Sequence, residues 1–174
     1  VVREKDRGTI VNFYLTPTTR LEFVMGKQIP YVVLSMVSLV ILIALAVSVF
    51  DVPLKGSLTT LLAGGFFYVI GTTALGLLLS SFMKSQVAAI FSTAILTMIP
   101  ATQYSGLITP VESLEGIGWY IGTVYPTTYF LQISRGAFAK GLGFNELAGF
   151  FWPLLLIGPG LIFLTALLLR KQEG

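Results

Sequence analysis

Four runs of about 22 to 27 residues without a charged residue mark candidate membrane spans, and a fifth uncharged stretch, 116–134, is interrupted by glycine and proline. The first run, 29–50, is about 22 residues, or roughly 33 Å as a helix, which matches the roughly 30 Å hydrocarbon core of a bilayer. Asp51-Val52-Pro53-Leu54-Lys55-Gly56 ends it, because its charges are costly in lipid and its Pro and Gly interrupt regular structure. A second run covers 57–83. Lys84-Ser85-Gln86 is long enough only for a tight turn, so the third run, 87–109, packs antiparallel beside the second. The fourth run, 147–169, stops at Arg170-Lys171. The pattern predicts an all-α integral membrane protein, one transmembrane domain over 1–174 with four transmembrane helices.

Two segments do not fit a plain bundle. Segment 1–28 is polar to amphipathic: Gly8-Thr9 reads as a helix stop followed by an N-cap, ahead of the apolar Ile10, Val11, Phe13, Tyr14 and Leu15. Thr16-Pro17 restarts a helix, and Thr19-x-x-Glu22 has the spacing of a capping box, so a second helix is expected to lead through Gly26 and Pro30 into the first span. Two readings fit this segment. It is an interfacial helix lying on the membrane, or a lever that docks a cytoplasmic partner, since its aromatic and charged residues are mixed and not segregated.

Segment 110–146 is the other exception. It contains Gly118, Gly122, Pro126, Thr127 and Thr128, with Glu112, Glu115, Arg135 and Lys140 at its flanks. A fifth crossing here would reverse the last span and place Arg170-Lys171 on the wrong side. The expectation is a segment that dips into the membrane and returns as two short helices broken near Tyr125-Pro126, because the residue before a proline is driven out of the helical region. Irregular backbone at that depth must line protein or a water-filled cavity, which places a vestibule or gate there.

Charge sets the orientation. With a cytoplasmic N-terminus the inner side holds Arg3, Lys5, Arg7, Arg20, Lys27, Lys84, Arg170 and Lys171, and the outer side Lys55, Arg135 and Lys140. This positive-inside bias puts both ends of the chain in the cytoplasm and segment 110–146 outside. The net charge of +3 then reports topology, and nucleic acid is not expected as a partner.

Composition narrows the chemistry. Charged residues make up 11% and hydrophobic residues 55% of the 174, with no cysteine and no histidine, so disulfides, thiolate metal sites and imidazole relays are excluded. No phosphate-binding GxxxxGK[ST], GxGxxG, HExxH or GxSxG motif occurs. The catalytic set is therefore expected to be empty, as is any metal site. Glu112 and Glu115 could share a helical face, but solvated carboxylates at the start of a short helix explain them better than a catalytic pair. No span carries an internal Asp, Glu, Lys or Arg, which argues against a self-sufficient ion-coupled transporter. Anything this protein moves draws its energy from elsewhere. Among neutral polar groups, Gln103 and Tyr104 are the leading candidates for a pathway, because Pro100 and Gly106 disturb the helix around them near the vestibule.

These residues carry a resemblance. Arg3-Glu4-Lys5-Asp6-Arg7-Gly8-Thr9, then Leu15-Thr16-Pro17 with Arg20 and Gly26-Lys27, resembles the cytoplasmic segment of type-2 ABC transporter permeases, the membrane subunits of many bacterial exporters. Ser105-Gly106 through Pro110-Val111-Glu112-Ser113 is similar to the end of that family's fifth helix, and Tyr125-Pro126-Thr127-Thr128-Tyr129 through Arg135-Gly136 to its outer segment. The order of the three motifs adds weight that none has alone.

The resemblance implies that Glu4 to Leu15 form a coupling helix, with Glu4, Lys5, Asp6, Gly8, Thr9, Phe13, Leu15 and Pro17 facing a separate ABC ATPase subunit. It implies that Pro110, Glu112, Tyr125, Pro126, Tyr129 and Arg135 belong to a re-entrant outer gate. ATP and Mg would bind in the partner, and no cofactor in this chain. Two such units, as a homodimer or heterodimer, would enclose the pathway in the bacterial inner membrane. The chain is expected to be the C-terminal part of a six-span permease, whose N-terminal half would end in a span feeding into Arg3. A non-transporting membrane scaffold or assembly protein is the alternative; it accounts for the amphipathic leader but not for the broken outer segment.

Overall fold

The computed structural model of the chain describes residues 19–83 and 85–171. Every regular element among them is helical, and four helices are long and apolar enough to cross a membrane. Helix α1, Arg20–Ser48, starts at the capping box foreseen from the sequence: the Thr19 side chain accepts from the Glu22 N–H at 3.4 Å, and the Thr19 N–H donates to Glu22 Oε2 at 2.8 Å. It passes through Pro30 without a break. The residue four before that proline, whose carbonyl the ring crowds, is Gly26, and nothing packs on it within 4 Å. α1 ends at a sharp reversal in which Asp51 takes a positive φ of 49°, a conformation aspartate tolerates better than most residues.

Helix α2, Leu58–Phe82, begins on a Ser57 cap that accepts from the Thr60 N–H at 3.4 Å. It is apolar on all sides and holds the centre of the bundle. Leu61, Gly64, Gly65, Val69, Gly71, Ala74 and Leu77 are buried along it. Four glycines at close approaches show why small residues matter here: a Cβ on Gly64 would lie 2.9 Å from Ile133, on Gly71 3.4 Å from Pro126, and on Gly158 2.9 Å from Ile70, while Gly65 admits the Leu39 side chain. Gly76 and Gly160 have nothing within 4 Å, so their small size serves no contact within the described residues.

Helix α3, Gln86–Ile99, continues as a π-helical turn at Pro100–Tyr104. Proline supplies no N–H, and the ladder widens at that point. After a 3₁₀ turn at Val111–Ser113 come α4, Ile117–Val124, and α5, Pro126–Arg135, then a π turn at Gly136–Lys140 and the long α6, Phe144–Lys171. α6 contains Pro153 and Pro159. Pro153 repeats the arrangement of α1, because the residue four before it is Gly149, again with nothing within 4 Å.

Ile133, Leu147, Phe151 and Leu154 form the buried core, covered by Ala63, Phe67, Tyr68 and Tyr129. This core joins α2, α5 and α6. α1 and α3 are different: their apolar side chains, Leu34, Leu42, Phe91 and Met98 among them, are largely exposed. Such surface is stable only against lipid or another chain.

Most hydroxyls in the spans bond back to their own helix. Ser38, Thr72, Ser80, Thr97, Thr102 and Thr165 each donate to a carbonyl three or four residues earlier. This satisfies the hydroxyl without a partner helix, which suits a span that must slide or sit in lipid.

Candidate functional site

The break expected at Tyr125-Pro126 is present. Tyr125 is extended, with φ −80° and ψ 126°, ending α4 and capping α5, because the ring of Pro126 excludes helical geometry from the residue before it. α5 then runs along α2 in the opposite direction. Pro126 abuts Gly71, Ile133 abuts Gly64, and the Ala137 carbonyl accepts from the Gly56 N–H at 2.8 Å. Gly71 lies next to Ile70, the central residue of α2 (Leu58–Phe82), so the α4–α5 pair reaches the mid-level of a membrane-length helix and turns back.

The turn is held on three sides. The Tyr125 hydroxyl donates to the Thr97 carbonyl of α3 at 2.8 Å. Thr128 Oγ1 donates to the Gly122 carbonyl at 2.7 Å, and the Tyr129 hydroxyl donates to the Thr123 carbonyl, so α5 recovers carbonyls that α4 leaves open at its C-terminus. Tyr68 of α2 stacks on Phe130 with ring centroids 4.5 Å apart, and its hydroxyl lies 3.5 Å from Thr127 Oγ1. Pro126 is fully buried, and Tyr125 and Thr128 are buried with it.

Tyr104 belongs to the same assembly. Its ring lies against Gly118 and its carbonyl against Gly122, where an added Cβ would be 3.3 Å and 2.5 Å away, so α4 rests directly on the π turn. Gln103, beside it, is exposed. Arg135 Nη2 reaches the Leu107 carbonyl at 3.4 Å, joining the end of α5 to the strand of chain that follows the π turn. Pro110 starts the 3₁₀ turn and accepts from Ser113 Oγ at 2.7 Å; Glu112 in that turn and Glu115 after it are exposed. Tyr104, Tyr125, Pro126, Tyr129 and Arg135 are thus brought into one connected structure, with Gln103, Pro110 and Glu112 at its rim. Glu4, Lys5, Asp6, Gly8, Thr9, Phe13, Leu15 and Pro17 lie outside the described residues.

The packing also draws in residues whose contribution is not legible in their type. Gly122 and Thr97 contribute main-chain atoms, which leave no trace in residue type. Gln28 is a buried side chain on α1, 3% exposed, four residues past the buried Val24; that spacing on one helix face was its only signal.

Chemically the turn itself is neutral, with Arg135 at one end of α5 and Glu112 at the rim. Hydroxyls, carbonyls and aromatic rings make up the turn, and among the described residues no group of three or more His, Cys, Asp or Glu could hold a metal ion.

Membrane-length helices packed around a broken pair that turns at mid-level define a polytopic all-helical membrane domain. The chain belongs to the ABC-2 transporter family: the family model described as ABC-2 family transporter protein matches residues 1–169. It is similar to the probable multidrug ABC transporter permease YbhR of Escherichia coli K12, 27% identical over 161 residues, covering 90% of this chain and 42% of that protein. Similarity to the inner membrane transport permease YhhJ of the same organism is 28% over 178 residues, covering 100% of this chain and 46% of that one. ABC transporter G family member 23 of Dictyostelium discoideum is 29% identical over 158 residues, covering 90% of this chain and 22% of its own length. The chain therefore spans less than half the length of these curated relatives. No solved structure matches it.

Proposed function

We propose that this chain forms part of the translocation pathway of an ATP-driven exporter, and that the energy enters through a separate ATPase subunit docked on the segment before Thr19. The observation that carries this reading is the turn at Tyr125-Pro126, which meets α2 beside its central residue and is tied to α3 by the Tyr125–Thr97 hydrogen bond. A break of that kind is stable in a membrane only where it faces protein or a water-filled cavity, which fits a gate above a pathway. The lack of charged side chains at the turn itself fits cargo recognised by shape and apolar contact. In this reading both ends of the chain are cytoplasmic, the break opens to the outside, and a second permease subunit completes the cavity. ATP-dependent closure of the motors moves the helices between inward- and outward-open arrangements.

The test is reconstitution of the full-length permease with its ATPase subunit in proteoliposomes. The expected result is ATP hydrolysis stimulated by the permease together with ATP-dependent movement of amphipathic dyes. Hydrolysis that ignores the permease, with no dye moved, would favour the scaffold.

A further inference from the structure

Gln28 is bound to α2 by an amide that stability alone does not explain. Its Nε2 donates to the Ile70 carbonyl at 3.1 Å and to Thr73 Oγ1 at 3.3 Å, while Oε1 is buried with no hydrogen-bond partner among the described residues. Neither acceptor depends on Gln28. Ile70 lies inside α2, where its carbonyl belongs to the helical ladder, and the Thr73 hydroxyl also donates to the Val69 carbonyl at 2.7 Å. A buried, unpaired amide oxygen costs about 1–3 kcal/mol, comparable to what the two donated bonds return. An apolar side chain of the same length would fasten α1 to α2 at least as firmly.

The position of the clasp matters more than its strength. Ile70 and Gly71 are consecutive residues at the centre of α2. On one side Ile70 takes the Gln28 amide; on another, Gly71 takes Pro126 and Ile157, and Ile70 takes Gly158 of α6. The helix that leads up from the cytoplasmic segment and the residue that opens the half-depth turn therefore meet the same turn of α2.

We propose that Gln28 is a positioning residue that carries displacement of α1 to the Tyr125-Pro126 turn. Its amide has two arrangements on α2: the one seen, in which Nε2 holds Ile70 and Thr73, and a second, reached as α1 moves, in which Oε1 accepts from the Thr73 hydroxyl. A polar clasp that exchanges partners is a two-state element, which an apolar contact is not. This inference rests on the transport reading above.

The test uses the full-length permease with its ATPase subunit in proteoliposomes, freed of other cysteines and carrying Val124→Cys beside the turn. A membrane-impermeant maleimide reports opening of the vestibule. In the parent, ATP is expected to change the labelling rate about fivefold or more, the scale of an ordinary allosteric coupling. Gln28→Met, which keeps length and removes both polar atoms, is expected to cut that response to near unity with thermal stability unchanged or raised. Thr73→Val, which spares the Ile70 bond, is expected to reduce it part of the way, and it tests the clasp should Gln28→Met fail to reach the membrane. A full ATP response in either variant overturns the clasp, as does a lost response accompanied by lost thermal stability, which would mean a packing role. A parent whose labelling ignores ATP overturns the transport reading, and this inference with it.

Discussion

The Tyr125 hydroxyl donates to the Thr97 carbonyl at 2.8 Å across 28 residues of chain, joining the turn between the two short helices to α3. α3 has few other ties: Ala89 is its only buried residue among those described. A phenolic group at a proline-enforced break thus anchors a helix that packing alone holds weakly. Tyr125→Phe keeps the ring and removes the donor, and it should cost about 1 kcal/mol. Thermal unfolding in detergent measures this, and an unchanged midpoint would show that α3 does not depend on the tie.

The glycines divide into those that must be small and those that need not be. A Cβ on Gly122 would sit 2.5 Å from the Tyr104 carbonyl oxygen and 3.0 Å from Val111 Cγ1, and a backbone atom cannot rotate away. Gly122→Ala should destabilise the protein by about 1–3 kcal/mol, the usual range for overpacking. Gly76→Ala, in open space within α2, should be neutral or stabilising by up to about 1 kcal/mol through helix propensity. Comparing the two melting temperatures checks the assignment; equal effects would refute it.

At the start of α1 the capping box predicts a local effect. Thr19→Ala removes the acceptor for the Glu22 N–H and should cost about 1 kcal/mol, felt in the first turn. Amide hydrogen exchange should accelerate over the first turn of α1, with residues from Val32 onward unaffected.

The coupling role proposed for the segment before Thr19 gives a functional prediction. Glu4→Arg or Gly8→Pro should abolish permease-dependent stimulation of ATP hydrolysis while leaving membrane insertion at the parental level. Normal transport by these variants at normal expression would remove the coupling role from Glu4 to Leu15.

Much of this architecture could be read from residue order, and the parts that could not share a cause. The charge-free runs, the Thr19–Glu22 box and the Tyr125-Pro126 break are local signals, each decided by residues within one or two turns of one another. The burial of Gln28, the seat of Pro126 on Gly71 and the reach of Arg135 to the Leu107 carbonyl join residues 28 to 55 positions apart, and only tertiary packing brings them together. Pro100 signalled a disturbance, but whether it would kink, stop or widen the helix depended on α4 resting against Tyr104. Gly64, Gly65 and Gly71 sit at close approaches while Gly76 stands clear, a difference that residue type does not carry.

Gly26 and Pro30 divide α1 mechanically. Pro30 brings no N–H to the Gly26 carbonyl, and the glycine presents no side chain to resist bending, so this level of the ladder is one rung short. The helix is continuous, but the stretch between Gly26 and Pro30 is the one least resistant to bending, and Gln28 sits inside it. In the coupling reading proposed above, a push on the N-terminal end of α1 would be taken up first as a bend at the depth where α1 grips α2.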